Sequence, residues 1–147
     1  MLACDLIIAS PEATFAATPA KHSVPYNVSG LLTFLNAAQI HIAKEMLFTA
    51  LPIPAVRLER MGIINHVVPV SEIENFTATL AQTIVQNAPL SISVMKEQLR
   101  ILAGAHTMSP SDFERIQGLR RVVYNSRDYS EGIRAFKEKR KPSFHGH

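Results

Sequence analysis

A tyrosine set directly after a proline is the residue of this 147-residue chain best placed to do chemistry. The stretch from Thr18 to Gly30 reads Thr-Pro-Ala-Lys-His-Ser-Val-Pro-Tyr-Asn-Val-Ser-Gly. Pro19 and Pro25 each fix their own φ and push the preceding residue toward extended backbone. Tyr26 therefore leaves a stiff turn in few directions, and its phenol can donate one aimed hydrogen bond. The plain alternative is a ring that only packs beneath a loop. A second candidate is the basic end, where Lys137, Lys139, Arg140 and Lys141 crowd together. Such a cluster meets nucleic acid or a phosphorylated small molecule, or is simply a solvated face. No aromatic residues interleave with these charges as a single-strand groove requires, so no nucleic-acid partner is expected.

Six histidines, at His22, His41, His66, His106, His145 and His147, raise the question of a metal. None makes a His-Glu-x-x-His pattern, and Cys4 has no second cysteine beside it. The pair His145-Gly-His147 reads as solvated. Neither the dinucleotide-type glycine loop, nor the Walker loop, nor a Gly-x-Ser-x-Gly elbow occurs. The expectation is an active centre with no metal and no cofactor.

The elements that must hold these residues are short strands early and helices late. The length suits about one domain with a real core. An apolar content of 47% against 18% charged is globular composition. No apolar run approaches the roughly 18 residues that span a bilayer, so no membrane partner is expected. No leader is visible and the single cysteine fits a reducing compartment, which predicts a cytoplasmic protein. The sequons at Asn27 and Asn75 are discounted on that ground. Leu6–Ala9 reads as a doubly buried strand and residues 13–18 as a second one. Helical spacing predicts helices over 37–49, 55–61, from the Ser71 cap through 86, 89–103, about 111–124 and about 129–139. Capping boxes are expected at Ser71–Glu74 and Ser111–Glu114. Ile63–Val68 reads as a strand. The late helices are amphipathic and need a partner surface, for which a subunit interface is a natural candidate.

Several segments resemble the crotonase (enoyl-CoA hydratase/isomerase) superfamily in order and spacing. Ala3-Cys-Asp-Leu-Ile-Ile-Ala9 with Ala13-Thr-Phe15 resembles the strand that follows its active-site glycines. Phe48-Thr-Ala50 and Ala55 through Pro69 resemble its "new alanine, then Gly-Leu-Val-Asn-x-Val" segment. Glu131 through Pro142 resembles its C-terminal signature. The resemblance implies an α/β, crotonase-like β-β-α spiral, of which this chain is the C-terminal portion with a helical trimerisation region. Residues 1–70 then belong to the spiral core and its active-site turn. Residues 71–147 form the helical part that contacts coenzyme A and assembles a homotrimer or hexamer.

Ser23–Asn27, Ala105–Met108 and Phe113–Gly118 are similar to members of the family that decarboxylate methylmalonyl-CoA to propionyl-CoA. Members that hydrate enoyl thioesters usually carry a glutamate directly after the proline matching Pro19, and this chain has Ala20. The resemblance implies that Tyr26 is the catalytic residue that orients the departing carboxylate. It also implies that Thr18 lies near the substrate and that Lys139 reaches the coenzyme A portion. From the residues alone, Lys137 or Lys141 would serve as well. Coenzyme A is then part of the substrate and no separate cofactor is implied. The family's oxyanion hole uses two backbone N–H groups that would lie before Met1. Two alternatives stand beside this reading: a hydratase or isomerase of the same fold, and an inactive oligomerisation fragment.

Overall fold

The computed structural model describes residues 1–105 and 107–147. His106, one of the six histidines and part of the Ala105–Met108 resemblance, lies outside the described residues. In chain order the elements are β1 (Ile8–Ala9), β2 (Thr14–Phe15), α1 (Val28–Ala37), α2 (Ile40–Thr49), β3 (Ile53–Pro54), α3 (Ala55–Arg60), β4 (His66–Val67), α4 (Ile73–Val85), α5 (Pro89–Ala103), α6 (Pro110–Tyr124) and α7 (Arg127–Lys137). Their contacts gather into two units, one of residues 1–15 and 53–107, the other of residues 16–52 and 108–147. No helix among the described residues is long and apolar enough to cross a membrane.

In the first unit β1 runs parallel to β4, with Ile8 opposite His66 and Ala9 opposite Val67. Asn65 fixes this register, because its side-chain oxygen accepts from the Ile7 N–H at 2.7 Å. Glu59 of α3 accepts from the Val67 N–H of β4 at 2.7 Å. β2 pairs antiparallel with β3. Ala55, Leu58, Ile63 and Ile64 are buried beside these strands. Gly62 turns the chain at φ 72°, a conformation that suits glycine. The regular strand at each site is shorter than the apolar run, and Leu6 is exposed rather than doubly buried.

In the second unit α1 and α2 are separate helices, where the spacing predicts one beginning at residue 37. Ala38 is extended at φ −145° and divides them. Phe34, Ala43, Met46 and Ala50 are buried here. α7 buries Glu131, Gly132 and Ala135, while Ile133 and Phe136 face outward. The choice of buried face has a steric cause. A Cβ on Gly132 would overlap the His22 carbonyl, lying 2.7 Å from its carbon, so only glycine lets α7 meet the 3-10 turn Pro19–His22 at this distance. Phe136, one turn on, takes the His22 ring edge to face at 5.3 Å.

Three helix starts differ from the spacing. α4 is entered through a 3-10 turn, Val70–Glu72, so Ser71 caps nothing. α6 begins at Pro110 with Ser109 as its cap, accepting from the Asp112 N–H at 3.1 Å, two residues before the predicted box. α7 begins at Arg127 because Ser126 caps it, and it ends at Lys137.

Gly132→Ala is expected to destabilise the chain by about 1–3 kcal/mol, since backbone must move to admit the methyl group. Gly118→Ala, in α6 with open space around it, is expected to stabilise by about 0.5–1 kcal/mol. Urea midpoints of the two variants against the parent chain check this opposition of sign.

Candidate active site

All three residues singled out by sequence, Thr18, Tyr26 and Lys139, fall in the second unit. The turn that carries two of them is built from local bonds. Lys21 N–H donates to the Thr18 carbonyl at 3.0 Å and Val24 N–H to the Pro19 carbonyl at 3.0 Å. Ser23 then adopts the left-handed conformation, φ 53°, which reverses the chain into Pro25. A non-glycine residue in that region is held there by its surroundings at a cost of about 1 kcal/mol. Thr18 is exposed, and its side chain makes no capping bond.

Tyr26 is half-buried and is fixed by the start of α1. Asn27 caps that helix, its side-chain oxygen accepting from the Gly30 N–H at 2.7 Å. Gly30 has no Cβ, and one placed there would lie 2.8 Å from the Tyr26 ring carbon Cδ1 and 2.9 Å from the capping oxygen. The ring thus lies across the first turn of α1 in space that only glycine leaves open. Phe34, one turn further, meets it at 5.7 Å between ring centres, a tilted aromatic contact. The Tyr26 hydroxyl makes no hydrogen bond among the described residues. The helix beginning at Val28, and with it the Asn27–Gly30–Phe34 seat, is absent from the spacing argument. Its one sequence signal is Asn27, a residue type favoured as a helix cap.

Lys139 stands where α7 ends. Arg140 N–H donates to the Ala135 carbonyl at 3.0 Å and Lys139 N–H to the Phe136 carbonyl at 3.2 Å. This is the paired closure of a helix end in which the left-handed position usually holds glycine. Here it holds Lys139, at φ 54°. Its side chain is exposed and makes no ion pair among the described residues.

Around that end the acidic residues of α7 gather the chain that follows. Glu131 is buried, and its two oxygens accept from Arg140 at 2.6 and 2.9 Å, from Arg134 at 2.5 Å and from the Ser143 N–H at 3.1 Å. Asp128 accepts from the His145 and Gly146 N–H groups at 2.8 Å each. Bonds from Arg140, then Arg134 and the Ser143 amide, hold the Glu131 carboxyl far below the usual carboxylate range. The His145 and Gly146 amides lower Asp128 in the same way. The basic end is therefore only partly a solvated face, because Arg140 is engaged with Glu131 and Glu138 while Lys137, Lys139 and Lys141 make no ion pair among the described residues. A cleft lined by Arg127, Arg134, Arg140 and His147 lies among these pairs, and neither Thr18 nor Tyr26 lines it.

The sequence and fold of the chain match a wider group of proteins. The profile of the enoyl-CoA hydratase/isomerase family covers residues 1–147, and the chain belongs to that family. It is 53% identical over 147 residues to a methylmalonyl-CoA decarboxylase of Escherichia coli, covering 100% of this chain and 56% of the relative. It is 32% identical over 148 residues to a carnitinyl-CoA dehydratase of Salmonella arizonae, covering 99% of this chain and 57% of that one. A solved methylmalonyl-CoA decarboxylase in complex with 2-nitronate-propionyl-CoA superposes with a TM-score of 0.97 at 53% identity, over 99% of this chain and 56% of that chain. The crotonase-type α/β fold is thereby shown. The chain spans about half the length of the relatives it matches.

Because the Glu131 and Asp128 carboxyls titrate lower when folded, the folded state binds fewer protons than the unfolded chain once pH falls toward the ordinary carboxylate range. Their stabilisation is complete above about pH 5 and declines as pH drops toward the lowered values. Glu131→Gln is expected to lower the urea midpoint at pH 7, and the gap to the parent chain is expected to narrow below about pH 4. A series of urea melts between those pH values checks it; a gap that does not change with pH contradicts it.

Proposed function

We propose that this chain carries the substrate-orienting part of a coenzyme A thioester decarboxylase that converts methylmalonyl-CoA to propionyl-CoA through a thioester enolate. The observation that carries this proposal is the mounting of Tyr26. Its ring is fixed on Gly30 and Phe34, its hydroxyl makes no hydrogen bond among the described residues, and Ala20 stands where hydrating members place a glutamate. The 53% identity to a methylmalonyl-CoA decarboxylase supports it.

Loss of CO2 from a malonyl-type thioester needs no base. The bond to the carboxylate breaks, its electron pair enters the thioester carbonyl, and the enolate is then protonated at carbon. The bond must stand perpendicular to the thioester plane so that it overlaps the carbonyl π system. A fixed donor to one carboxylate oxygen sets that angle. A neutral phenol suits the task better than a cation, because a cation stabilises the starting carboxylate more than the departing neutral CO2 and raises the barrier. We assign the donor to Tyr26 and place the Thr18 hydroxyl at the acyl group. Enolate stabilisation falls to N–H donors outside these residues, each typically worth roughly 100- to 1000-fold in rate. Lys139 is assigned to the phosphates of coenzyme A, which enters as part of the substrate with no further cofactor.

Residues 71–147 are assigned to assembly as a homotrimer or hexamer in the cytoplasm. Leu90 at 81% exposure, Leu102 at 69% and Val122 at 69% supply apolar surface for that.

Offered methylmalonyl-CoA and crotonyl-CoA side by side, the protein is expected to release propionyl-CoA and CO2 and to leave crotonyl-CoA unhydrated. Hydration without decarboxylation, read by mass spectrometry of the acyl-CoA pool, overturns the assignment in favour of a hydratase. Tyr26→Phe is expected to lower turnover about 10- to 100-fold, the worth of a hydrogen bond to a charged group, with coenzyme A affinity nearly unchanged. Lys139→Ala is expected to weaken coenzyme A binding about 2- to 5-fold at low salt and less at high salt, as measured by calorimetric titration.

A further inference from the structure

Lys139 occupies a position that glycine would fill at less strain, and it does so next to the most heavily bonded side chain of α7. Resting on the assignment of Lys139 to coenzyme A, we infer that the Glu131–Arg140 ion pair is a positioning clasp that keeps Lys139 left-handed and its ammonium turned out to the coenzyme A phosphates.

Three observations carry this. First, Lys139 is bracketed by the two bonds that close α7, from its own N–H to Phe136 and from the Arg140 N–H to Ala135. Second, Arg140, the very next residue, grips Glu131 with both terminal nitrogens, at 2.6 and 2.9 Å, and Glu138 with Nε at 2.5 Å. The guanidinium fork is rigid, so two parallel bonds to a buried carboxylate fix the backbone just after Lys139. Third, the Ser143 N–H donates to the same carboxylate, which draws the chain past Arg140 back along the helix. Between two such anchors Lys139 is left exposed and without an ion pair among the described residues. Neighbouring Glu138 is occupied by Arg140 and so is kept from pairing with Lys139. Strain that a substitution to glycine would relieve, retained at a cation with no ion-pair partner among the described residues, points to use of that cation by a ligand. Glu131 and Arg140 touch no ligand in this scheme; they act through Lys139.

The test is a double-mutant cycle read by calorimetric titration of the 147-residue chain with coenzyme A. Glu131→Gln and Lys139→Ala are each expected to weaken binding about 2- to 5-fold, and the double variant is expected to be no weaker than Lys139→Ala alone. Losses that multiply overturn the clasp, since a general structural role for Glu131 acts equally with or without Lys139. An unchanged affinity in Glu131→Gln overturns it as well. Should that variant fail to fold, Arg140→Lys, which keeps the charge and loses the two-pronged grip, takes its place in the cycle with the same outcomes. If Lys139→Ala itself binds coenzyme A normally, the assignment of Lys139 falls and the clasp with it. That result is distinct from a failure of Glu131→Gln alone. Lys139→Gly adds a signature that no purely structural lysine gives: the unfolding midpoint rises by about 2–4 °C while affinity falls. A lowered midpoint overturns the strained-lysine argument.

Discussion

One close approach governs the second unit. The backbone of α7 at Gly132 lies against the His22 carbonyl, at a distance that excludes any side chain. Interiors are packed too tightly to absorb a methyl group set against backbone, so the contact is either made with glycine or not made at this distance. Because it is made, the 3-10 turn Pro19–His22 and the last helix are one mechanical piece. The turn carries Thr18 and leads through Ser23 and Pro25 to Tyr26. The helix leads through Phe136 to Lys139. The two candidate groups thus lie on segments joined through a single glycine contact.

Tyr26 and Lys139 are then finished by local devices of different kinds. The phenol is set by shape: Gly30 leaves a gap, the Asn27 cap fixes the helix around it, and Phe34 closes the far side. The lysine is set by charge: Glu131 collects Arg134, Arg140 and a backbone N–H, and the chain past the helix follows. Shape suits a group that must hold one bond angle, because packed rings resist rotation more than ion pairs do. Charge suits a group that only has to present a cation, since the field of an ammonium tolerates some movement.

The regular elements were legible where a proline or a glycine punctuates them. Pro89 opens α5 and Gly104 follows its last residue, as the spacing predicts. The capping boxes were less legible, because the Ser-x-x-acid pattern occurs at overlapping positions. Ser109 with Asp112 competes with Ser111 with Glu114, and Pro110 decides for the former by suiting the first helical residue. At the candidate site, the stiff presentation of Tyr26 follows from the sequence, but its seat does not. Gly30 reads as a release point in the chain, whereas its function in the fold is to make room for a ring four residues back. Gly132 is silent in the sequence for the same reason: the atom it avoids belongs to His22, far along the chain. The buried face of α7 was hidden too, since no hydrophobic pattern marks a face made of a glutamate, a glycine and an alanine.

Non-glycine residues in the left-handed region sharpen this point. Among the described residues they are Ser23, Ala50 and Lys139. Ala50 is buried at the end of α2, where it closes the helix. Ser23 lies inside the turn between Thr18 and Tyr26, and Lys139 is itself a candidate binding group. Local rules are broken where a chain has something to hold in place besides its own core. For Ser23 that is the reversal into Pro25, which aims the phenol. For Lys139 it is an ammonium exposed beside a helix end where Arg134 and Arg140 are already paired. Glycine is the residue that a left-handed helix end ordinarily selects, so the lysine there departs from what local stability alone favours.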